Sequence, residues 1–467
     1  MTPTLIRLAL VFGLAALHAS SVIAADWGTC QRPFSARSPW NARPIEPLLG
    51  SVVVPKSDYF PAIAEGKYST GVFCAASSDK PMEIFGTVGR KGVWNPDAEA
   101  FQPSITLPHW PANVIPAEGM DGHADIVDTV TGIVHSFWQL RQVDGEWRTT
   151  QYAWTRLDGR GWPEPGHYFQ GARAAAVPSM GGLIRSHELN DDDKLFRHAL
   201  AMSLTFNGLA ANPGFVFPAT NADQDAAKAN SGQVPQGALL MLPNEFDAGA
   251  IKHPVLRKVV ETLKVYGAYV VDRNAGTPFV IYVENGSHFK LHGEKWDNAI
   301  ARDLDRIRAA LRPMVSASGW LDGDGRPMRM SQALNLLSMR GPWWAGGGAK
   351  GVFDTWSQSV VFPATDTPLR QTNATGRNMT LPHWSKPETG KPYRLQVYGE
   401  GGAKLRFQLL GFGQKVVLDS GELGDGQTKT FEWPAGQRGL NLTVISGVGD
   451  KPSRVGATLQ LVEDAER

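Results

Sequence analysis

Cysteine is scarce: Cys30 and Cys74 are the only two in 467 residues. They lack the C-x-x-C spacing of a redox thiol pair, so one structural disulfide formed in an oxidising compartment is expected. Charge is also sparse and balanced. With 46 basic and 45 acidic residues the net charge is +1. That gives no electrostatic case for nucleic acid or an anionic membrane surface, and it weakens a strongly polyanionic substrate. Beyond the N-terminus no segment approaches the length of apolar chain needed for a membrane span, so no span is expected in the mature chain. There is no H-E-x-x-H, no G-x-S-x-G and no His clustering at metal-ligand spacing; neither metal nor cofactor is expected. "GGGAKG" at 346–351 matches a dinucleotide fingerprint only formally, since it follows "GPWWA" and not a strand. "DGDG" at 322–325 is shorter than a calcium loop and reads as a turn.

What is present begins with residues 1–24, where Arg7 precedes an apolar run at 8–17 and the small-residue pattern Val22-Ile23-Ala24 follows. This is the build of a secretory signal peptide, which makes the mature protein periplasmic or extracellular. The remaining length suits two or three domains. Fifteen Trp, 50 Gly and 32 Pro describe a loop-rich chain with large flat apolar surfaces. Such surfaces fill β-sandwich cores or stack on sugar rings.

Residues 121–156 form the clearest β region. Segments 123–128 and 133–141 flank the turn "TVTG", and "VDGEW" leads into 147–156. Drawn as a three-stranded meander, this places Asp125 opposite Ser136, His123 opposite Trp138, and Gln151 beyond Trp138. Ala124, Ile126, Phe137 and Tyr152 then make an apolar face. A helix is expected from about Asp191, with Leu195, His198, Ala199 and Met202 on one stripe. "PVLRKVVETLKVY" at 254–266 is a helix opened by Pro254 and stopped by Gly267. "AYVVD" and "FVIYVE" are strands, and 296–314 is a second amphipathic helix. After Lys391 short alternating segments recur, as in a small β-sandwich. "ITLPHW" at 105–110 returns as "MTLPHW" at 379–384.

The expected fold is therefore mainly β: a jelly-roll-type β-sandwich with a few surface helices over 25–385, and a smaller C-terminal accessory sandwich over 386–467.

Two constellations carry chemistry. Asp121, His123 and Asp125 share one side of a strand, a spacing suited to general acid–base work in which a carboxylate orients an imidazole. The other reading is a polar face meeting water. Arg173, Arg185, His187 and Glu188 form the second set: Glu188 a general acid, the arginines grips for carboxylates or hydroxyls. The other reading is an ion pair of Arg185 and Glu188 at a helix entry. His198, on an apolar stripe, reads as a core histidine, and Tyr266 and Asp272 as structural.

In residues 121–202 the order D-G-H, G-A-R-A, G-G-L-I-R-x-x-E and H-A-L resembles a string found in uncharacterised secreted bacterial proteins. The resemblance implies that Asp121, His123, Arg173, Arg185 and Glu188 belong to one constellation. It implies no reaction type.

These readings converge on a secreted protein that acts on a polysaccharide or oligosaccharide. As a glycoside hydrolase it would draw a carboxylate pair from Asp121, Asp125 and Glu188, with Trp138 stacked on a sugar and Gln151, Arg173, Arg185 and His187 binding it. As a lyase it would use Arg173 or Arg185 to neutralise a uronate and His123 to take the C5 proton. As a glycan-binding envelope protein it would turn nothing over.

Overall fold

The computed structural model describes residues 27–331, 335–340, 343–345, 351–373 and 387–462. The signal-peptide segment, the second "TLPHW" copy, most of "GGGAKG" and the boundary expected near 385 lie outside the described residues.

The chain is mainly β. Among the described residues a six-stranded sheet holds the meander, in the order Gly71–Ala75, Ala124–Asp128, Ile133–Trp138, Gln151–Arg156, Val93–Asn95, Ala100–Gln102. The meander register is the expected one: Asp125 pairs with Ser136, and Trp138 with Gln151. Segment 147–156 is not one strand, however. Glu146–Thr149 joins a separate four-stranded sheet, and Gln151–Arg156 returns to the meander. Thr150 makes the corner: its N–H donates to Trp138 O at 3.2 Å while its carbonyl accepts from Trp94 N at 2.9 Å. The chain thus passes from one sheet to the other through a single corner residue.

A seven-stranded sheet mixes parallel and antiparallel pairs, with Ala268–Asn274 and Leu200–Thr205 as parallel neighbours near its centre. Its residues alternate between two buried faces. Leu200, Met202, Leu204, Val270 and Ile281 pack on the helices Pro254–Val265 and Asn298–Ala310 through Leu256, Val259, Leu263, Ile300, Leu304 and Ile307. Each such side chain, fully buried, contributes about 1.5–3 kcal/mol. Ala201, Tyr269, Val271 and Tyr282 face Trp40, Trp162, Val177, Met180 and Leu183 on the other side. The first helix opens at Pro254 as its sequence signal indicates, and both helices are capped at their N-termini by side chains. His253 accepts from Leu256 N, Asp297 accepts from Ala299 N at 2.7 Å, and Gly267 stops the first helix at φ +73°.

The helix expected from Asp191 is corrected: residues 189–199 are irregular and Leu200–Thr205 is a strand. Residues 200–205 are buried on both sides of the sheet, and a doubly covered strand reads as a continuous apolar run that also fits a helical stripe.

Two five-stranded sheets form the C-terminal sandwich. Strands Val352–Asp354, Ser359–Phe362 and Arg370–Asn373 belong to the same sheets as Pro392–Glu400 and Ser453–Leu461. Its core includes Trp343, Phe362, Leu395, Phe407 and Val455. Cys30 and Cys74 are disulfide-bonded, with Cα atoms 6.1 Å apart. Among the described residues no helix is long and apolar enough to cross a membrane.

Candidate functional site

At His123, Asp125 and Ser136 the polar face of the meander is closed to water, while Asp121, Trp138 and Gln151 at its end are partly buried. Asp125 is 0% and His123 2% exposed. Residues 170–183 fold over them, and this segment closes tightly on itself at Gly171, where an added Cβ would lie 1.9 Å from Pro178 N. Asp125 accepts from Ser136 Oγ and from Met180 N, each at 2.6 Å, and Ala172 N donates to Ser136 Oγ at 3.1 Å. Burial pushes the Asp125 carboxyl up to about 6, against the pull of those hydrogen bonds. His123 Nδ1 lies 3.2 Å from Ser179 Oγ, and burial first, then Arg173, hold its imidazole neutral, well below the usual range. A role in direct contact with a polymer is not what this geometry supports for either residue. They tie the meander to the covering loop.

Arg173 lies beside them, 1% exposed, its guanidinium 4.0 Å from the Tyr282 ring centroid. Nη1 donates to Tyr68 O at 2.7 Å and to Asp272 Oδ2 at 3.2 Å. Asp272 sits near the carboxyl end of Ala268–Asn274, where that strand runs parallel to Leu200–Thr205. Carboxyl ends of parallel strands are where open sheets place ligands. A register break here pairs Met202 with Val270 but Ser203 with Asp272, so Val271 is an extra residue. Such a bulge re-aims side chains, and here it turns Asp272 toward Arg173. The Asp272 side chain keeps 17% exposure. Burial raises its carboxyl to about 7; Arg173 opposes the rise, while Asp223 and Asp121 add to it.

Two further carboxylates border this centre. Asp121 accepts from Trp138 Nε1 at 3.2 Å. Asp223 accepts from Gln236 Nε2 at 2.6 Å and lies 3.8 Å from Arg273 Nη2; burial raises its carboxyl. A carboxyl that is protonated near neutrality, partly open, and faced by other carboxylates is suited to donating a proton. The sequence reading gives Asp272 a structural role and does not single out Asp223 or Tyr282. The available signal was a lone Asp closing the apolar strand "AYVV".

The structure divides the expected constellation. Arg173 contacts Asp272, and Asp121 is within its electrostatic reach; His123 and Asp125 adjoin Arg173, and Trp138 donates to Asp121, with Gln151 paired to Trp138. Arg185, His187 and Glu188 instead line a hollow of about 420 Å³. Met180 stands between the two groups: its N–H holds Asp125, and the residue also lines the hollow. Arg185 does not pair with the Glu188 side chain through its guanidinium. Its Nε meets Glu284 Oε2 at 3.1 Å, and only its backbone N–H donates to Glu188 Oε2, at 2.9 Å. Nor is His198 an inert core residue: it lines the hollow, and its Nε2 lies 3.2 Å from Glu188 Oε2 while Nδ1 faces Ala199 O at 2.9 Å. Both ring nitrogens face acceptors, which favours the imidazolium. Glu188 is drawn down to about 2: the His198 charge and hydrogen bond, with other contacts, outweigh the opposing effect of burial. His198 is raised, because Glu188 outweighs the burial penalty.

No protein-family model matches this chain. No curated protein matches it. Among solved structures it shows likeness to the enzymatically active domain of bacteriophage CBA120 tailspike protein 4, at 12% identity over 22% of this chain and 15% of that one, TM-score 0.17. It shows likeness to the Gap123 glycosylation-associated protein complex of Streptococcus agalactiae, at 18% identity over 29% of this chain and 45% of that one, TM-score 0.20. A family 16 carbohydrate-binding module matches at 10% identity over 28% of this chain and 85% of that one, TM-score 0.16. The chain thus spans less than half the length of the first two. Likeness at these TM-scores defines neither fold nor function.

Proposed function

We propose that the protein is a secreted glycoside hydrolase whose reaction centre is Asp272. The observation that carries this reading is the Asp272 carboxyl, partly open to solvent near the carboxyl end of a parallel strand, contacted by Arg173 and raised by burial to about 7, with Asp223 and Asp121 within electrostatic reach. Asp272 is the proton donor to the leaving glycosidic oxygen. Asp121 is the second carboxylate, acting as nucleophile or activating water, and the Trp138 indole holds it in place. Arg173 orients Asp272. Export and the disulfide fit a protein that meets polysaccharide outside the cytoplasm. The C-terminal sandwich is proposed as an accessory domain.

A lyase is the second reading, favoured by one observation. Nε and Nη2 of Arg173 have no partner among the described residues, and that edge is the one a carboxylate takes side-on. The lyase base would be His123, and its 2% exposure weighs against this reading.

The test is digestion of a glycan panel, read by new reducing ends and by ultraviolet absorbance. A hydrolase releases reducing ends without absorbance. A lyase releases both, because elimination leaves a conjugated double bond. Binding without either product would mark a non-catalytic glycan-binding protein. Asp272→Asn should abolish hydrolysis and leave the fold intact; full activity in that variant would reject the assignment.

A further inference from the structure

The hollow of about 420 Å³ at the other side of Met180 is not used by the proposed reaction centre. Its charges do not balance. Each carboxylate in its lining already has a cation: Glu188 has His198, Asp191 has Lys258, Asp193 has Arg197, and Asp324 has Arg326. Arg185 is matched by Glu284. Arg32 and Arg43 also line the hollow, and among the described residues neither makes an ion pair with any acidic group. Arg32 is only within electrostatic reach of Asp193, which Arg197 already holds in two hydrogen bonds. Two guanidinium groups are therefore left over at one concave surface.

The rest of the lining suits a sugar ring. Trp27 is fixed at the rim by donating from Nε1 to Asp324 Oδ1 at 2.8 Å, and it lies against Gly323, where an added Cβ would sit 2.4 Å from the indole. Glu188 receives both of its side-chain hydrogen bonds on Oε2, so Oε1 is left to accept from hydroxyls. The His187 imidazole, at the edge of the hollow, is held below its usual pKa mainly by partial desolvation, and adds a donor and an acceptor. A volume near 400 Å³ falls in the range of small-ligand sites, and aromatic faces with a few placed polar groups are their usual build.

We propose that this hollow is a second saccharide site that selects an anionic sugar unit. The carboxylate of a uronic acid or the sulfate of a sulfated sugar is gripped by Arg32 and Arg43, with the ring against Trp27 and hydroxyls on Glu188. The near-neutral charge of the whole chain is consistent with this, because the selection is local. The proposal does not depend on Asp272: the two sites have separate residues and separate tests.

Calorimetric titration of the whole protein decides it, with trigalacturonate, a sulfated heparin disaccharide and neutral maltotriose as probes. At least one acidic probe should bind ten-fold or more tightly than maltotriose. Asp272→Asn should bind it as the native protein does. Arg43→Ala and Arg32→Ala should each weaken it about ten-fold, and Arg43→Lys should recover part of the loss; thermal melts of each variant exclude unfolding as the cause. The proposal fails if neither acidic probe binds, if maltotriose binds as well as the acidic probes, if the arginine variants bind normally, or if inorganic sulfate alone binds as tightly as the acidic saccharides. Loss of hydrolysis in Asp272→Asn with acidic-probe binding kept separates this site from the reaction centre.

Discussion

Arg173 reaches Asp272 through a single nitrogen, Nη1 to Oδ2 at 3.2 Å, while the Tyr282 ring lies under the guanidinium at 4.0 Å. One such contact is too weak to hold a largely desolvated carboxyl fully ionised against desolvation and the electrostatic effect of Asp223 and Asp121. Asp272 therefore stays up at about 7.

A proton donor must carry its proton. Hydrolytic activity is expected to be high below pH 7 and to fall as pH rises through about 7, with Asp272→Asn lowering kcat at least about 10²-fold. A pH–rate profile flat from 6 to 9 would reject Asp272 as the donor.

Asp125 has its folded pKa raised from 3.8 to about 6. A raised carboxyl contributes stability that is fully present below the unfolded value and is lost as pH rises through the folded value. Unfolding free energy should therefore fall between pH 4 and pH 6.5, by up to about 3 kcal/mol for this group. Parallel urea titrations of the native protein and Asp125→Asn should show the fall in the former and less of it in the latter.

The Glu188–His198 pair has the opposite and complementary signs. Glu188 is depressed to about 2, so its contribution is present above its unfolded pKa and lost as pH falls through 2. His198 is raised, so its contribution is present below its unfolded pKa and lost as pH rises through the folded one. The pair stabilises most between roughly pH 4.5 and 6.5. His198→Phe leaves a largely buried carboxylate uncompensated and should cost about 3–5 kcal/mol at pH 6. Chemical denaturation at pH 6 and pH 9 checks both the size and its decline with pH.

The Cys30–Cys74 bridge closes a sequence separation of 44 residues. In the chain-entropy description such a loop is worth about 4 kcal/mol. Cys74→Ser should lower the denaturation midpoint accordingly. It should also loosen the hollow, because Arg185 Nη1 donates to Cys30 O at 2.8 Å. Unchanged stability on reduction would show the bridge to be energetically idle.

Much of the fold was legible. The turn "TVTG" and period-two alternation set the meander register; Pro254 and Gly267 bounded the first long helix to within a residue, while the second, placed over 296–314 by its apolar stripe alone, ends four residues earlier, at Ala310. What misled was burial on both faces. Ala199 to Met202 looked like a helical stripe because a central strand also presents an unbroken apolar run. His123 and Asp125 looked like a cleft floor or a wet face because alternation reveals which residues share a side, not what covers that side. Residues 170–183 do the covering, and nothing in 121–128 announces them.

By itself the sequence determined which residues of the meander alternate, the existence of the two long helices, the pairing of its two cysteines, and the absence of any strong charge bias. Those follow from local sterics, hydrogen-bond capping and composition. Only the tertiary structure decided that Arg173 joins His123 while Glu188 turns away to a separate hollow, and that a bulge at Val271 delivers Asp272 to Arg173. These relations depend on long-range packing and on desolvation, which exist only once distant segments have been brought together.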